Sequence, residues 1–392
     1  MLKRLMLSLL FILVLSTASV NAQNGAEQKL ITTLDVATSY SDKPITFNVI
    51  LPPSYFNNKD KRYLVLFDFH PRSQAYLNGM HDWMSHNGDW PWLETIIVTA
   101  PDGDKTLGEL KELAIEERGD IKLLDFMELA LLPAIDKQYR TNGFRIMNGF
   151  TGNAGLGLYT LLNRPELFNA YFVASPVLSK DFAFVIKDAP KKLAAMKGKP
   201  RFLFMSTSDS GFEQRQLASF AEMETIIKTS ASPVLEYHIK RFDGSYYMTQ
   251  PILATAYGIE LLFNDYHKVL EPDSEISSKG PRAILAHYQY LTEEKYGFEV
   301  PATASLIALA KYEADKGGKA VKDRAIAIYQ VAVDAYPHSH TAHHALAQAY
   351  AEVGKFEKAV THEKLALKNT DHPFWRDKYS KSLAAFENDS LL

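Results

Sequence analysis

The segment Gly149-Phe150-Thr151-Gly152-Asn153 has the residue types and spacing of a reaction centre. It joins an apolar run, Phe144-Arg-Ile-Met147, to a helical stretch opening near Gly155, so a strand enters a helix through a glycine-rich turn. In sheets of alternating strands and helices, ligands gather at the carboxyl ends of strands, at turns of this kind. The spacing does not fit a dinucleotide fingerprint, and no lysine follows as a phosphate-binding loop requires. Its strand-turn-helix context is that of G-x-S-x-G, a sharp turn that lifts a hydroxyl above a helix N-terminus for nucleophilic attack. Thr151 stands in the serine position and Asn153 in the place of the last glycine. Such a hydroxyl needs a base to take its proton. His70, His81 and His86 are candidates, in a stretch from Phe69 to Trp90 that reads as loop-rich and carries Arg72, Trp83 and Trp90 as a pocket rim.

Other motifs have plainer readings. Asp102-Gly-Asp104 lacks the rest of a calcium loop and reads as a turn after a strand. His338-Ser-His-Thr-Ala-His-His344 has no carboxylate nearby and reads as solvated helix surface rather than a metal site. No metal or other cofactor is expected. The chain has no cysteine, which removes thiolate metal sites, disulfides and any thiol nucleophile. Its 43 basic and 46 acidic residues give a net charge of -3, too little positive charge for a dedicated nucleic-acid binder.

The elements that must position the turn alternate. Ile45–Leu51, Tyr63–Phe67, Thr95–Thr99, Tyr171–Ala174, Arg201–Met205 and Val234–Arg241 read as strands with helices between them. Alternation of this kind gives an α/β sandwich with a mostly parallel sheet. A turn-rich break at 266–281 ends it, and strands vanish beyond. Leu346, Ala347, Tyr350, Gly354, Ala359 and Ala366 then fall at the spacings of a tetratricopeptide repeat. A weaker copy precedes it, carried by Leu309, Ala310, Gly317-Gly318, Ala325, Tyr329, Ala332 and Pro337, and 374–386 reads as a capping helix.

Several separated blocks share a resemblance. Asn142–Gly149, Leu158–Phe168, Ala174-Ser-Pro176, Leu51-Pro-Pro-Ser-Tyr55 and Leu132–Arg140 resemble the esterase family of α/β-hydrolases that includes ferric-enterobactin esterases and esterase D. Tyr288–Leu306 resembles the bridge in fusions of such esterases to tetratricopeptide repeats. The resemblance implies a nucleophile–acid–histidine triad that cleaves esters. Its nucleophile position is Thr151, its acid Asp209 with Glu213 second, and its histidine position is Tyr247, inside Ser245–Pro251. His238 lies mid-strand and does not fill that place. The oxyanion loop, usually Asp-Gly in the family, reads His70-Pro71, and proline has no N–H to donate. Gly152 supplies the other donor. The Tyr246-Tyr247 pair is either a platform for a ligand or a filler of the volume the family histidine occupies.

Thr for Ser, Tyr for His and Asn for Gly together read as a degenerate triad. Two functions follow: a pseudo-esterase that binds a small ester-like ligand or a protein partner, or a working hydrolase using Thr151 with a non-standard base. Residues 1–22 carry Lys3 and Arg4, an apolar run to Val20 and a small-residue site ending at Ala22, the pattern of a cleaved secretory signal. The expected organisation is signal 1–22, esterase-like domain 23–265, linker and bridging helix 266–303, and repeats 304–392. The expected product is exported, to the periplasm or beyond, without a membrane span.

Overall fold

The computed structural model describes residues 30–86 and 91–390; the expected signal at 1–22 lies outside them. Eight strands make one sheet: β1 (Ile31–Thr38), β2 (Ser41–Ile50), β3 (Tyr63–Asp68), β4 (Thr95–Thr99), β5 (Thr141–Phe150), β6 (Ala170–Ala174), β7 (Arg201–Thr207) and β8 (Leu235–Arg241). Their order across the sheet is β1-β2-β4-β3-β5-β6-β7-β8. β1 and β2 pair antiparallel, β2 runs antiparallel to β4, and every other pairing is parallel.

The parallel strands are apolar because both their faces are buried. Tyr63, Val65 and Phe67 enter one core, while Leu64 and Leu66 enter the other. The first face is covered by helices Lys105–Glu116, Gly152–Asn163, Val185–Ala195 and Leu217–Ser230, with a helical run at 122–138. The second lies under Ser73–His86 and Gln250–Leu262. β1 goes beyond the expected strand set: it sits at the sheet margin, and its alternating Thr and Asp residues give no continuous apolar run.

Two readings are corrected. Much of the stretch from Phe69 to Trp90 is not loop but the helix Ser73–His86. Ser73 starts it by donating both its amide (3.1 Å) and its hydroxyl (2.7 Å) to the His70 carbonyl, and Tyr76, Leu77, Met80 and Met84 face the second core. In the histidine run, His338 is exposed, but His340, His343 and His344 are not solvated surface: His343 is 3% exposed, and the three rings spend polar atoms on Tyr379, His362, the Pro337 carbonyl and Glu363. Asp104 does close a turn, and its carboxylate then caps helix Lys105–Glu116 by accepting the Leu107 amide at 2.8 Å.

Beyond the sheet, Pro281–Tyr290 and the turn Leu291–Tyr296 bind back onto it. Lys295 bridges Glu236 on β8 (2.7 Å) and Asp265 (2.6 Å), and the Tyr296 hydroxyl donates to the Leu262 carbonyl at 2.6 Å. Phe144, Phe263, Tyr296 and Phe298 stack around that joint. Five helices follow: Thr303–Asp315, Lys319–Ala335, His340–Ala351, Phe356–Lys368 and Pro373–Asp389. Their buried residues continue the second core of the sheet without a break. Among the described residues, no helix is long and apolar enough to cross a membrane.

Candidate active site

Thr151 stands between β5 and helix Gly152–Asn163 with φ 58° and ψ -119°, a backbone state that costs a β-branched residue roughly 1–3 kcal/mol. The turn is held on all sides. The Thr151 amide donates to the Ala174 carbonyl (3.1 Å), and the Thr151 carbonyl accepts from Gly155 (3.0 Å) and Val177 (3.1 Å). Glycine is required at two positions. A Cβ on Gly149 would lie 2.7 Å from the Asn153 carbonyl oxygen, and one on Gly155 would lie 2.6 Å from that of Val177. Asn153 itself is only half-buried, so the change from glycine there is sterically tolerated.

Beneath the turn lies a buried polar layer that sequence reasoning missed. Asp68, at the end of β3, accepts from the His70 amide (2.7 Å), the Asn148 amide group (2.6 Å) and the Tyr76 hydroxyl (3.2 Å). Thr255, on helix Gln250–Leu262, donates to the Asn148 carbonyl oxygen at 3.1 Å. Burial pushes the Asp68 carboxyl above the ordinary carboxylate range, against the pull of these donors. The four residues come from four elements, so no local pattern announces them.

The layer fixes the neighbouring loop. The His70 amide is committed to Asp68, Pro71 has none, and the Arg72 amide donates to His70 Nδ1 at 3.2 Å. The Arg72 side chain is exposed. Lys111 props the loop from below, donating to the Phe69 carbonyl at 2.9 Å; burial lowers its pKa to about 8, although the Asp68 charge works against the fall. The Gly152 amide stands at the first position of its helix, where no carbonyl of that helix can accept it and where the dipole's positive end lies.

Tyr247 begins the short turn Tyr247–Thr249, ahead of helix Gln250–Leu262. Its ring packs on Phe150 at 5.0 Å between centroids and stacks with Phe212 at 5.3 Å. Burial, and then the charge of Glu213, raises its pKa above 10.0. Glu213 is therefore the carboxylate whose charge Tyr247 feels. It is 2% exposed and accepts from the hydroxyl of Thr207 (3.0 Å), the amide of Ser208 (2.9 Å) and the hydroxyl of Ser208. Asp209 is exposed, and its Oδ1 accepts the Gly244 amide at 2.8 Å.

The other histidines are placed elsewhere. His70 is half-buried, with its ring 6.3 Å from that of Phe150. His81 is buried at the opposite end of the strands, where its Nε2 accepts from the amide of Thr95, the first residue of β4 (2.9 Å). His238 lies within β8 against Phe202 and Glu236. The side chain of His86, and Trp90, lie outside the described residues.

Residues 38–229 match the family model named Esterase, described as "Putative esterase". The mostly parallel sheet, with helices on both faces, is of α/β-hydrolase type. No curated protein matches the chain. Among solved structures, the chain is similar to an uncharacterised protein from Capnocytophaga ochracea DSM 7271. That likeness has a TM-score of 0.66 at 14% identity over 91% of this chain and 99% of that one, so it extends into the C-terminal helices. It is also similar to an IroE-like serine hydrolase from Shewanella oneidensis, with a TM-score of 0.56 at 18% identity over 76% of this chain and 98% of that one. At these identities the likeness shows the fold alone.

Proposed function

We propose that this is an exported pseudo-esterase that uses its old cleft, beside Thr151, to bind a small ligand. One observation carries the reading: Tyr247, which the resemblance puts in the histidine position, packs its ring at 5.0 Å on Phe150, the residue before Thr151, and burial raises its pKa above 10.0. A neutral phenol cannot take the Thr151 proton at pH 7. The oxyanion loop adds support, because the His70 and Arg72 amides are committed and Pro71 has none to give. A site stripped of its base keeps only about 10³–10⁴-fold catalysis from binding and the remaining donors.

Purified mature protein is to be assayed with short acyl p-nitrophenyl esters and a tris-catechol siderophore ester, beside Thr151→Ala. The reading expects both proteins to stay at background. Turnover by the parent that disappears in the variant would overturn it.

A second reading, an active ester hydrolase, draws on the elbow itself: Thr151 keeps the strained backbone of a working nucleophile. His70 would then be the base, and His70→Ala would abolish turnover along with Thr151→Ala.

We further read the C-terminal helices as tetratricopeptide-type repeats that offer a second surface, for a protein partner. Support comes from the burial of Leu346, Ala347, Ala359 and Ala366 between helices, and from Gly354 turning at φ 73°. Export to the periplasm or beyond rests on the sequence of residues 1–22.

A further inference from the structure

We infer that the depression between the turn after β7 and the turn after β8 binds an organic ammonium ion, held by aromatic faces and the Asp209 carboxylate. This deepens the proposed binding role of the cleft and rests on it.

The depression encloses about 900 Å³ and joins the Thr151 turn through the contact of Tyr247 with Phe150. Its walls are unusually apolar for a solvent-facing surface. Phe212 is 81% exposed, Tyr246 84% and Met248 68%, although each is large enough to gain from burial. Phe212 stacks on Tyr247, with 23° between the ring planes, so the two rings form one aromatic platform, and Tyr246 lines the same depression.

The charges decide what such a platform can hold. Arg241 is committed to Asp243 through two contacts, Nε–Oδ2 at 3.0 Å and Nη2–Oδ1 at 2.8 Å. Lys240 lies over Tyr257, 4.6 Å from its centroid, and near Phe242. Asp209, on the rim, forms no salt bridge among the described residues; its partner is the Gly244 amide. Glu213, 2% exposed and outside the lining, accepts from hydroxyl and amide donors. The lining of the depression thus presents one carboxylate, Asp209, and the electron-rich faces of aromatic rings; the nearby Arg241 feels the charge of Asp209 but spends its hydrogen bonds on Asp243.

Ring faces and carboxylates attract the same kind of group. A carboxylate or phosphate ligand would be repelled. A neutral apolar ligand would gain from the rings but nothing from Asp209. A methylated ammonium gains from both: its methyl groups cover the rings while its spread charge meets the carboxylate.

The test uses choline and its neutral isostere 3,3-dimethylbutan-1-ol, titrated calorimetrically into the full mature protein. Choline is expected to bind saturably, and the isostere at least about tenfold more weakly. Asp209→Asn should weaken choline about tenfold, with no change for the isostere. Tyr246→Leu, at a site too exposed to disturb folding, should weaken both. Equal affinity for the two probes, or no choline binding by a protein that melts normally, would overturn the inference. Because this is a binding measurement on unreactive probes, its outcome is independent of ester turnover, which alone decides whether the cleft is a retired esterase.

Discussion

At the scale of single residues, the Thr151 turn separates what shapes the site from what would run a reaction in it. The shape rests on Gly149, where an added methyl would meet the Asn153 carbonyl at 2.7 Å. Gly149→Ala is therefore expected to cost about 2–3 kcal/mol in urea unfolding, whereas Asn153→Gly should change stability by well under 1 kcal/mol. The chemistry is a different matter, because the acid and base positions lie on loops that carry little local pattern. Thr151 was legible because a glycine-flanked turn between strand and helix has a steric signature. The choice between Asp209 and Glu213 was not, since both follow β7 within a few residues and only burial tells them apart: Asp209 faces solvent, and Glu213 is buried. The polar layer of Asp68, Tyr76, Asn148 and Thr255 was illegible for a related reason, as each member belongs to a different element.

At the scale of elements, β3, β4 and β6 could be read directly, because a strand buried on both faces must be apolar throughout. β1 and helix Ser73–His86 could not, since both mix polar residues into their buried stripe. The histidines of the C-terminal helices misled in the same way, because imidazole is as much at home in a packed interface as on a wet surface. His343 Nε2 donates to the Pro337 carbonyl at 3.0 Å, so its Nδ1 must accept from His362 Nδ1, 3.1 Å away. His340 meets the Tyr379 hydroxyl at 2.7 Å, and His344 meets the buried Glu363 at 2.9 Å. Burial, then the charge of His343 and that of Lys358, lowers the pKa of His362; burial, His344 and His372 lower that of His340. Tyr350 stacks on His362 at 5.7 Å between centroids. A histidine whose folded pKa is depressed contributes its stability above the ordinary value of 6.5 and loses it as the pH falls below, when the unfolded chain takes protons that the fold refuses. Thermal midpoints should accordingly drop between about pH 7 and pH 5, and His362→Leu should flatten that dependence.

At the scale of the whole molecule, the second core runs from β-strands through the bridging segment into the C-terminal helices, with the Lys295 bridges and the Tyr296–Leu262 hydrogen bond fastening the joint. A boundary drawn from composition near residue 266 is real as a change of element type, yet the packing does not stop there. Differential calorimetry of the full mature chain should show a single cooperative transition, and a chain ending at residue 302 should melt lower and aggregate through its uncovered apolar face. The same continuity places the cleft and the helices in one packed unit, so a ligand at one end and a partner at the other would meet a single rigid scaffold. The central claim is that the hydroxyl at the elbow is no longer activated, and a fluorophosphonate probe reads that activation directly. Mass spectrometry of the treated protein is predicted to find no adduct on the peptide containing Thr151; stoichiometric labelling of Thr151 would contradict the account.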